Sequence, residues 1–153
     1  MADITQLLVA REEFPTFVPS CLHTSVSSYV VVCRGPNCRE RGSLRLRKRL
    51  AELVHKEPCV NLVGYACFGQ CDFGPNVIFY PEDAWYGGLA SPDAAERVVQ
   101  HALSGEPIAG ATALSPTAAE RREHRANIEE LVATLERDRA RRQARTRRWW
   151  WPF

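Results

Sequence analysis

No stretch of the 153 residues approaches the roughly 18–20 consecutive apolar positions of a membrane-spanning helix. Met1–Arg11 has Asp3 where a secretory leader would carry positive charge, and it has no long apolar run. Cys-x-x-Cys is absent, which removes a thioredoxin-type dithiol and makes structural zinc a poor match, since zinc knuckles commonly use that spacing. No nucleophile–base pair and no phosphate-cradling loop is visible, so nothing points to an enzyme turning over a substrate. Internal repeats are missing too. The expected location is cytoplasmic, where thiols stay reduced, and six cysteines there read as metal ligands more readily than as disulfides.

What is present is a chain of globular composition, 45% hydrophobic and 25% charged, with a net charge of +2 that hides an asymmetry. Residues 1–114 carry ten Lys+Arg against twelve Asp+Glu, whereas residues 115–153 carry ten Arg against six acids. A mildly acidic body is joined to a basic tail.

Residues 1–26 read as an irregular lead-in, with two prolines in Phe14–Pro19. Ser27–Cys33 is β-branched and aromatic, a buried strand. Gly42-Ser43 opens a helix with Ser43 as expected N-cap and Leu44, Leu46, Leu50, Leu53 and Val54 as its apolar positions. Its Arg45, Arg47, Lys48, Arg49 and Lys56 read as a solvated face or, more sharply, as a docking patch for an acidic redox partner. Val60–Tyr65, Asn76–Tyr80 and Trp85–Gly87 are further strands, the last two joined by a hairpin at Pro81-Glu82-Asp83. Ser91-Pro92 is expected to start a second helix, which Ser104-Gly105 ends. The order strand-helix-strand-strand-strand-helix makes an α/β sandwich over residues 27–108, followed by a linker at 109–116.

Two cysteine pairs lie at the ends of strands: Cys33-x4-Cys38 and, twenty-nine positions later, Cys67-x3-Cys71. Both stand in turn sequence with Gly35, Gly42, Gly64, Gly69 and Gly74 around them. Four thiolates brought together by one chain reversal suit a metal centre. The spacing favours a [2Fe–2S] cluster, which tolerates wide pairs, over zinc. Glycines there would let backbone N–H groups approach the sulfurs. Asp72 reads as an exposed turn residue and Cys59 as a small buried one, while Cys21 receives no role. His23, His55, His101 and His124 have no ligand spacing relative to the cysteines, which argues against a Rieske-type centre with its two His ligands.

The ordered set Val30-Val31-Val32-Cys33-x4-Cys38, Arg41-Gly42-Ser43, Cys67-Phe68-Gly69-Gln70-Cys71, Gly74-Pro75-Asn76-Val77, Trp85-Tyr86-Gly87 and Gly105-Glu106-Pro107-Ile108 resembles the thioredoxin-like [2Fe–2S] ferredoxin family. The resemblance covers about residues 28–108. It implies a thioredoxin-like fold with the cluster in two surface loops, Cys33 and Cys38 on one iron and Cys67 and Cys71 on the other. It further implies a one-electron carrier between redox protein partners whose donor and acceptor are open. Free members look like small dimers, so a homodimer is one expectation. Related domains are built into NAD-linked dehydrogenase and hydrogenase complexes, and the x4 first pair is like those subunits. A redox-sensing or zinc-structural interaction protein is the remaining alternative.

Beyond the domain, residues 117–148 read as an Arg-rich added C-terminal helix, with Ser115-Pro116 as its expected cap and first position. Ile128, Leu131, Val132 and Leu135 make one apolar stripe that could dock on the body, pair with a second copy or bind a partner. Residues 149–153, Trp-Trp-Trp-Pro-Phe, follow seven Arg and one acid in 137–148. Arg followed by Trp suits an anionic membrane interface or a groove on a protein, and the favoured expectation is a docking or targeting peptide. This would make the protein peripheral to a membrane or a larger assembly. Nucleic acid ranks third because no binding module accompanies the basic run.

Overall fold

A computed structural model describes residues 27–149. Its elements are β1 (Ser28–Cys33), α1 (Pro36–Glu40), α2 (Ser43–Val54), β2 (Val60–Tyr65), a 3-10 turn at Cys71–Phe73, β3 (Val77–Tyr80), β4 (Ala84–Gly87), α3 (Ala94–Ser104), β5 (Thr112–Ala113) and α4 (Ala118–Trp149). One five-stranded sheet runs in the order β2-β1-β3-β4-β5. β1 and β2 pair in parallel, and every other pair is antiparallel.

The near-continuous apolar run of β1 follows from burial on both faces. Alternation sends Val30 and Val32 to one side, where they meet Leu46 and Leu50 of α2, Val98 of α3 and Phe79 of β3. Tyr29, Val31 and Cys33 point the other way, toward Phe68, Ile78, Trp85, Leu114, Ile128 and Val132. Helices α2 and α3 therefore cover one face of the sheet and α4 the other. The apolar stripe of α4 docks on the body: Ile128 and Val132 are buried, while Leu135, further along, is 39% exposed.

Helix starts differ from the sequence reading in three places. Gly42 caps α2 and Ser43 is its first helical residue, buried against the core. Helix α3 begins at Ala94 behind Asp93, two residues past the expected Ser91-Pro92 start. At α4 the cap is Thr117, not Ser115: its Oγ1 accepts from the Glu120 N–H at 3.2 Å, and the Glu120 carboxylate accepts from the Thr117 N–H at 2.8 Å. This reciprocal capping box satisfies two donors that a bare helix end leaves open. Gly105 ends α3 with φ 74°, as its position predicts.

Residues 109–116, a linker by composition, contain β5 and the buried Leu114. The stretch adds a strand at the β4 edge before the chain turns into α4. No helix among the described residues is long and apolar enough to cross a membrane.

Candidate metal centre

The parallel pairing of β1 and β2 sets the site. Cys33 closes β1 and stands opposite Tyr65 at the end of β2, so the chain leaves the sheet at neighbouring points with a cysteine loop on each. In the first loop the five-residue helix α1, started by Pro36, turns Cys38 inward until it is 1% exposed. In the second, Cys67 stays exposed and Cys71 opens the 3-10 turn, half-buried.

The thiols come two by two. Cys67 Sγ and Cys71 Sγ lie 3.3 Å apart. Burial, then the neighbouring Cys33 thiol, pushes the Cys38 thiol up to about 12. Cys71 is raised by its hydrogen bond with Cys67, then by burial, and it also feels Cys33 across the two loops. All four of these cysteines are free. Among the described residues no three His, Cys, Asp or Glu side chains are placed to hold one ion. Four cysteine thiolates are the donor set that a two-iron cluster would take.

The surroundings fit such a group. Gly35 N–H points at Cys33 Sγ and Gly69 N–H at Cys67 Sγ, both at 3.4 Å. These are the backbone–sulfur approaches expected of the glycines. At Gly74 a Cβ would lie 2.9 Å from Cys38 Sγ, and at Gly35 one would lie 3.3 Å from Cys67 Sγ. Side chains at these two positions would intrude on the thiols, so glycine keeps the space around the sulfurs open.

Asn76, 1% exposed, fastens the second loop through Nδ2 to the Gln70 carbonyl at 2.6 Å, and its own carbonyl accepts from the Cys33 N–H at 3.0 Å. Its Oδ1 has no partner among the described residues. Arg41 ties the loops from outside by donating to the Asp72 carbonyl at 2.5 Å. Asp72 itself is an exposed turn residue, as its sequence context predicts.

Sequence reasoning passed over His124. It lies on α4, half-buried, with its ring 5.6–6.2 Å from those of Tyr65, Phe68 and Trp85, and its Nδ1 is 3.3 Å from the Tyr65 hydroxyl. Phe68, between Cys67 and Gly69, is thereby held under α4. Arg121, one turn earlier, stacks over Trp85 at 5.8 Å and bonds the Asp83 carboxylate at 3.0 Å. No spacing rule links position 124 to position 68, so only the fold brings them together.

Cys59 is not the small buried residue expected from the sequence. It is half-buried at the rim of the sheet just before β2, and it is disulfide-bonded. Cys21 and His23 lie outside the described residues. His55 is exposed at the end of α2, and His101 is buried against Phe79 and Tyr86 on the opposite face from α4. Neither is placed among the cysteines.

No model of a known protein family matches the chain. Two curated relatives are similar to it. A 2Fe-2S ferredoxin of Aquifex aeolicus is 30% identical over 76 residues, which span 47% of this chain and 68% of the relative. A 2Fe-2S ferredoxin of Clostridium pasteurianum is 44% identical over 55 residues, 36% of this chain and 52% of that protein. Among solved structures, the wild-type thioredoxin-like [2Fe-2S] ferredoxin from Aquifex aeolicus superposes with a TM-score of 0.53 at 27% identity. It is covered over its whole length by 60% of this chain, so the similarity takes in a complete domain. With two cysteine pairs at the ends of parallel strands, and a relative covered over two thirds of its length at this identity, the chain belongs to the thioredoxin-like [2Fe–2S] ferredoxin family.

Proposed function

We propose that this chain carries single electrons between redox proteins, that residues 27–108 form its cluster domain, and that Cys33, Cys38, Cys67 and Cys71 hold the [2Fe–2S] cluster. Cys33 and Cys38 take one iron and Cys67 and Cys71 the other. As a ferredoxin of the thioredoxin-like kind it is an electron carrier and not an enzyme. The observation that supports the ligand assignment is the gathering of four free thiols, as two pairs, where two loops leave the same end of the sheet.

When bound, the cluster supplies a one-electron couple. The chain's residues do the rest. Cys38 is sunk in the fold and Cys67 is at the surface, so one side of the centre is shielded and the other accessible. The Gly35 and Gly69 N–H groups place partial positive charge at sulfur, which favours added negative charge there.

The extension at 117–148 and the terminal peptide 149–153 are a docking device on the same carrier. Every residue from Ala133 to Arg148 is exposed, and seven of the last twelve are Arg. Leu135, Arg139 and Arg142 line a groove of about 620 Å³ floored by Val54 and Leu62. Arg139 also bonds Asn61 Oδ1 at 2.7 Å, near the start of β2 and at the opposite end of that strand from the cysteines. From Glu120, beside Gly69, to Arg139 the helix rises roughly 28 Å, so the arm attaches far from the site of electron exchange.

Anaerobic purification with a visible spectrum, iron and sulfide assays and EPR after reduction tests the carrier reading. Cys→Ser at 33, 38, 67 or 71 should each disturb the spectrum, and a colourless zinc protein overturns the reading. Removal of Trp149–Phe153 should abolish co-sedimentation with a partner or with anionic membrane while the spectrum is kept. Unchanged co-sedimentation would sink the docking role.

A further inference from the structure

Ion pairing among the described residues divides the cations of the body into two populations, the unpaired one including Lys56 past the end of α2 and Arg122 on α4 as well as the group below. Arg49 pairs with Glu52 and Glu96, Arg97 with Asp93, Arg121 with Asp83 and Arg125 with Glu129. Arg34, Arg39, Arg45, Arg47 and Lys48 meet no carboxylate among the described residues, and Arg41 spends its hydrogen bond on a carbonyl. These six fall within residues 34–48, on the first cysteine loop and the opening turns of α2, against one acid of that stretch, Glu40. The second loop adds Asp72, an exposed acid whose carbonyl Arg41 already holds.

Arg41 reaches the second loop, which carries an exposed thiol and an exposed ring. Cys67 is at the surface, and Phe73, two residues past Cys71, is 47% exposed. A large aromatic left in water beside a ligand cysteine is the sort of centre that partner surfaces cover, and arginine is enriched in such interfaces.

We propose that this cationic end of the molecule is the electron port, and that it is fitted to an acidic redox protein presenting carboxylates around an apolar spot that receives Phe73. The inference deepens the carrier reading and rests on it. One electron leaves one protein and enters the other, with no bond made or broken. A nucleic acid would also answer the positive charge, but it offers no redox centre for the electron. The Arg-rich end of α4 is not part of the port, because it lies at the far pole.

Screening sets the scale of the effect. At about 0.1 M salt a charge is felt over about 10 Å, so these cations steer a partner already near the port. Steering of this kind raises association rates by roughly 10–1,000-fold. Rim charges act mainly through that rate and its dependence on salt.

The test is a binding titration of the full-length, cluster-loaded protein in its oxidised state, where no electron need move. An acidic flavodoxin and a basic c-type cytochrome serve as probes, at about 0.01 M and about 0.15 M salt. The flavodoxin should bind, more weakly at the higher salt, and the cytochrome should not. Arg39→Glu with Arg45→Glu should weaken flavodoxin binding by about tenfold or more. Lys56→Glu, a change of charge of the same sign at the far pole, where α2 ends and β2 is about to start, should leave it unaltered. Preference for the cytochrome, no binding of the flavodoxin at either salt, or loss only with the far-pole variant overturns the proposal. The visible spectrum of each sample separates these outcomes from failure of the carrier reading, since a chain without the cluster is colourless before any probe is added.

Discussion

The hydroxyl of Tyr65 and Nδ1 of His124 lie 3.3 Å apart, joining the strand that feeds the second cysteine pair to the helix that covers that face of the sheet. Around this contact the His124 ring meets Tyr65, Phe68 and Trp85. Aromatic pairs of this kind add about 0.5–1.5 kcal/mol each beyond the area they bury. His124→Ala should therefore loosen Phe68, and with it the loop between Cys67 and Cys71. The expected outcome is several-fold faster bleaching of the visible absorption under air, with helical content retained. His124→Phe, which restores a ring without the hydrogen bond, should recover most of the loss. Identical bleaching of His124→Ala and the unaltered protein would show that the helix does not steady the loop.

Gly74 poses a sharper steric question. A methyl group there would stand 2.9 Å from Cys38 Sγ and 3.2 Å from Cys38 Cα, with backbone on one side and a buried thiol on the other. Overpacking at such a point costs about 1–3 kcal/mol. Because the strain falls on a thiol proposed to hold iron, it should appear in cluster content before it appears in folding. Gly74→Ala is expected to purify folded but with less iron and sulfide per chain. Iron and sulfide at the level of the unaltered protein would place the two loops further apart than the structure has them.

Those two residues also mark the limits of what the sequence discloses. The strands that carry the cysteines are legible because β1 is buried on both faces and so reads as one apolar run, Tyr29–Cys33. That four thiols could meet follows from two cysteine pairs placed after two strands with one crossover between them. The short helix α1 is not legible, since Pro36–Glu40 has turn composition and too few residues to show a period. Strand β5 is two residues long and held by its pairing to β4, so nothing local separates it from a linker. The start of α4 was readable in principle, because Thr117-x-x-Glu120 is a capping-box pattern one step beyond the more conspicuous Ser115-Pro116. His124 was not, since its partners come from three other segments.

Proton release should accompany assembly of the centre. In the iron-free chain, burial and then the neighbouring Cys33 hold the Cys38 thiol at about 12, and Cys71 is raised by its bond to Cys67. Metal takes thiolates, so these protons must leave on loading, and iron affinity rises with pH. The iron-free fold behaves in the opposite sense. A thiol whose folded pKa is raised contributes stability below its unfolded value, near 8.5, and that stability is lost as pH climbs toward about 12. Thermal melts of the iron-free chain should fall over that window, and Cys38→Ser should flatten the decline. A melting temperature that rises there would reverse the sign of the coupling.

Helix α4 offers the test that separates a body-packing role from an appended one. Ile128 is 2% exposed and Val132 6%, both set against Tyr29, Val31, Ile78 and Trp85. Tyr29 reaches back to the helix and donates to the Glu136 carboxylate at 2.9 Å. If this half of α4 belongs to the fold, Ile128→Ala removes buried volume at the face that carries Cys33 and Phe68, and should destabilise the protein by about 2–5 kcal/mol. A polar change at the exposed Arg145 or Arg148 should fall within about 0.5 kcal/mol of neutral. The measurement is chemical unfolding of the cluster-loaded protein, followed by the far-ultraviolet signal and by visible absorption on the same sample. For Ile128→Ala both transitions should move together to lower denaturant. Loss of the helical signal alone, with the visible band holding to its original midpoint, would mean that α4 lies on the domain without bracing the cluster.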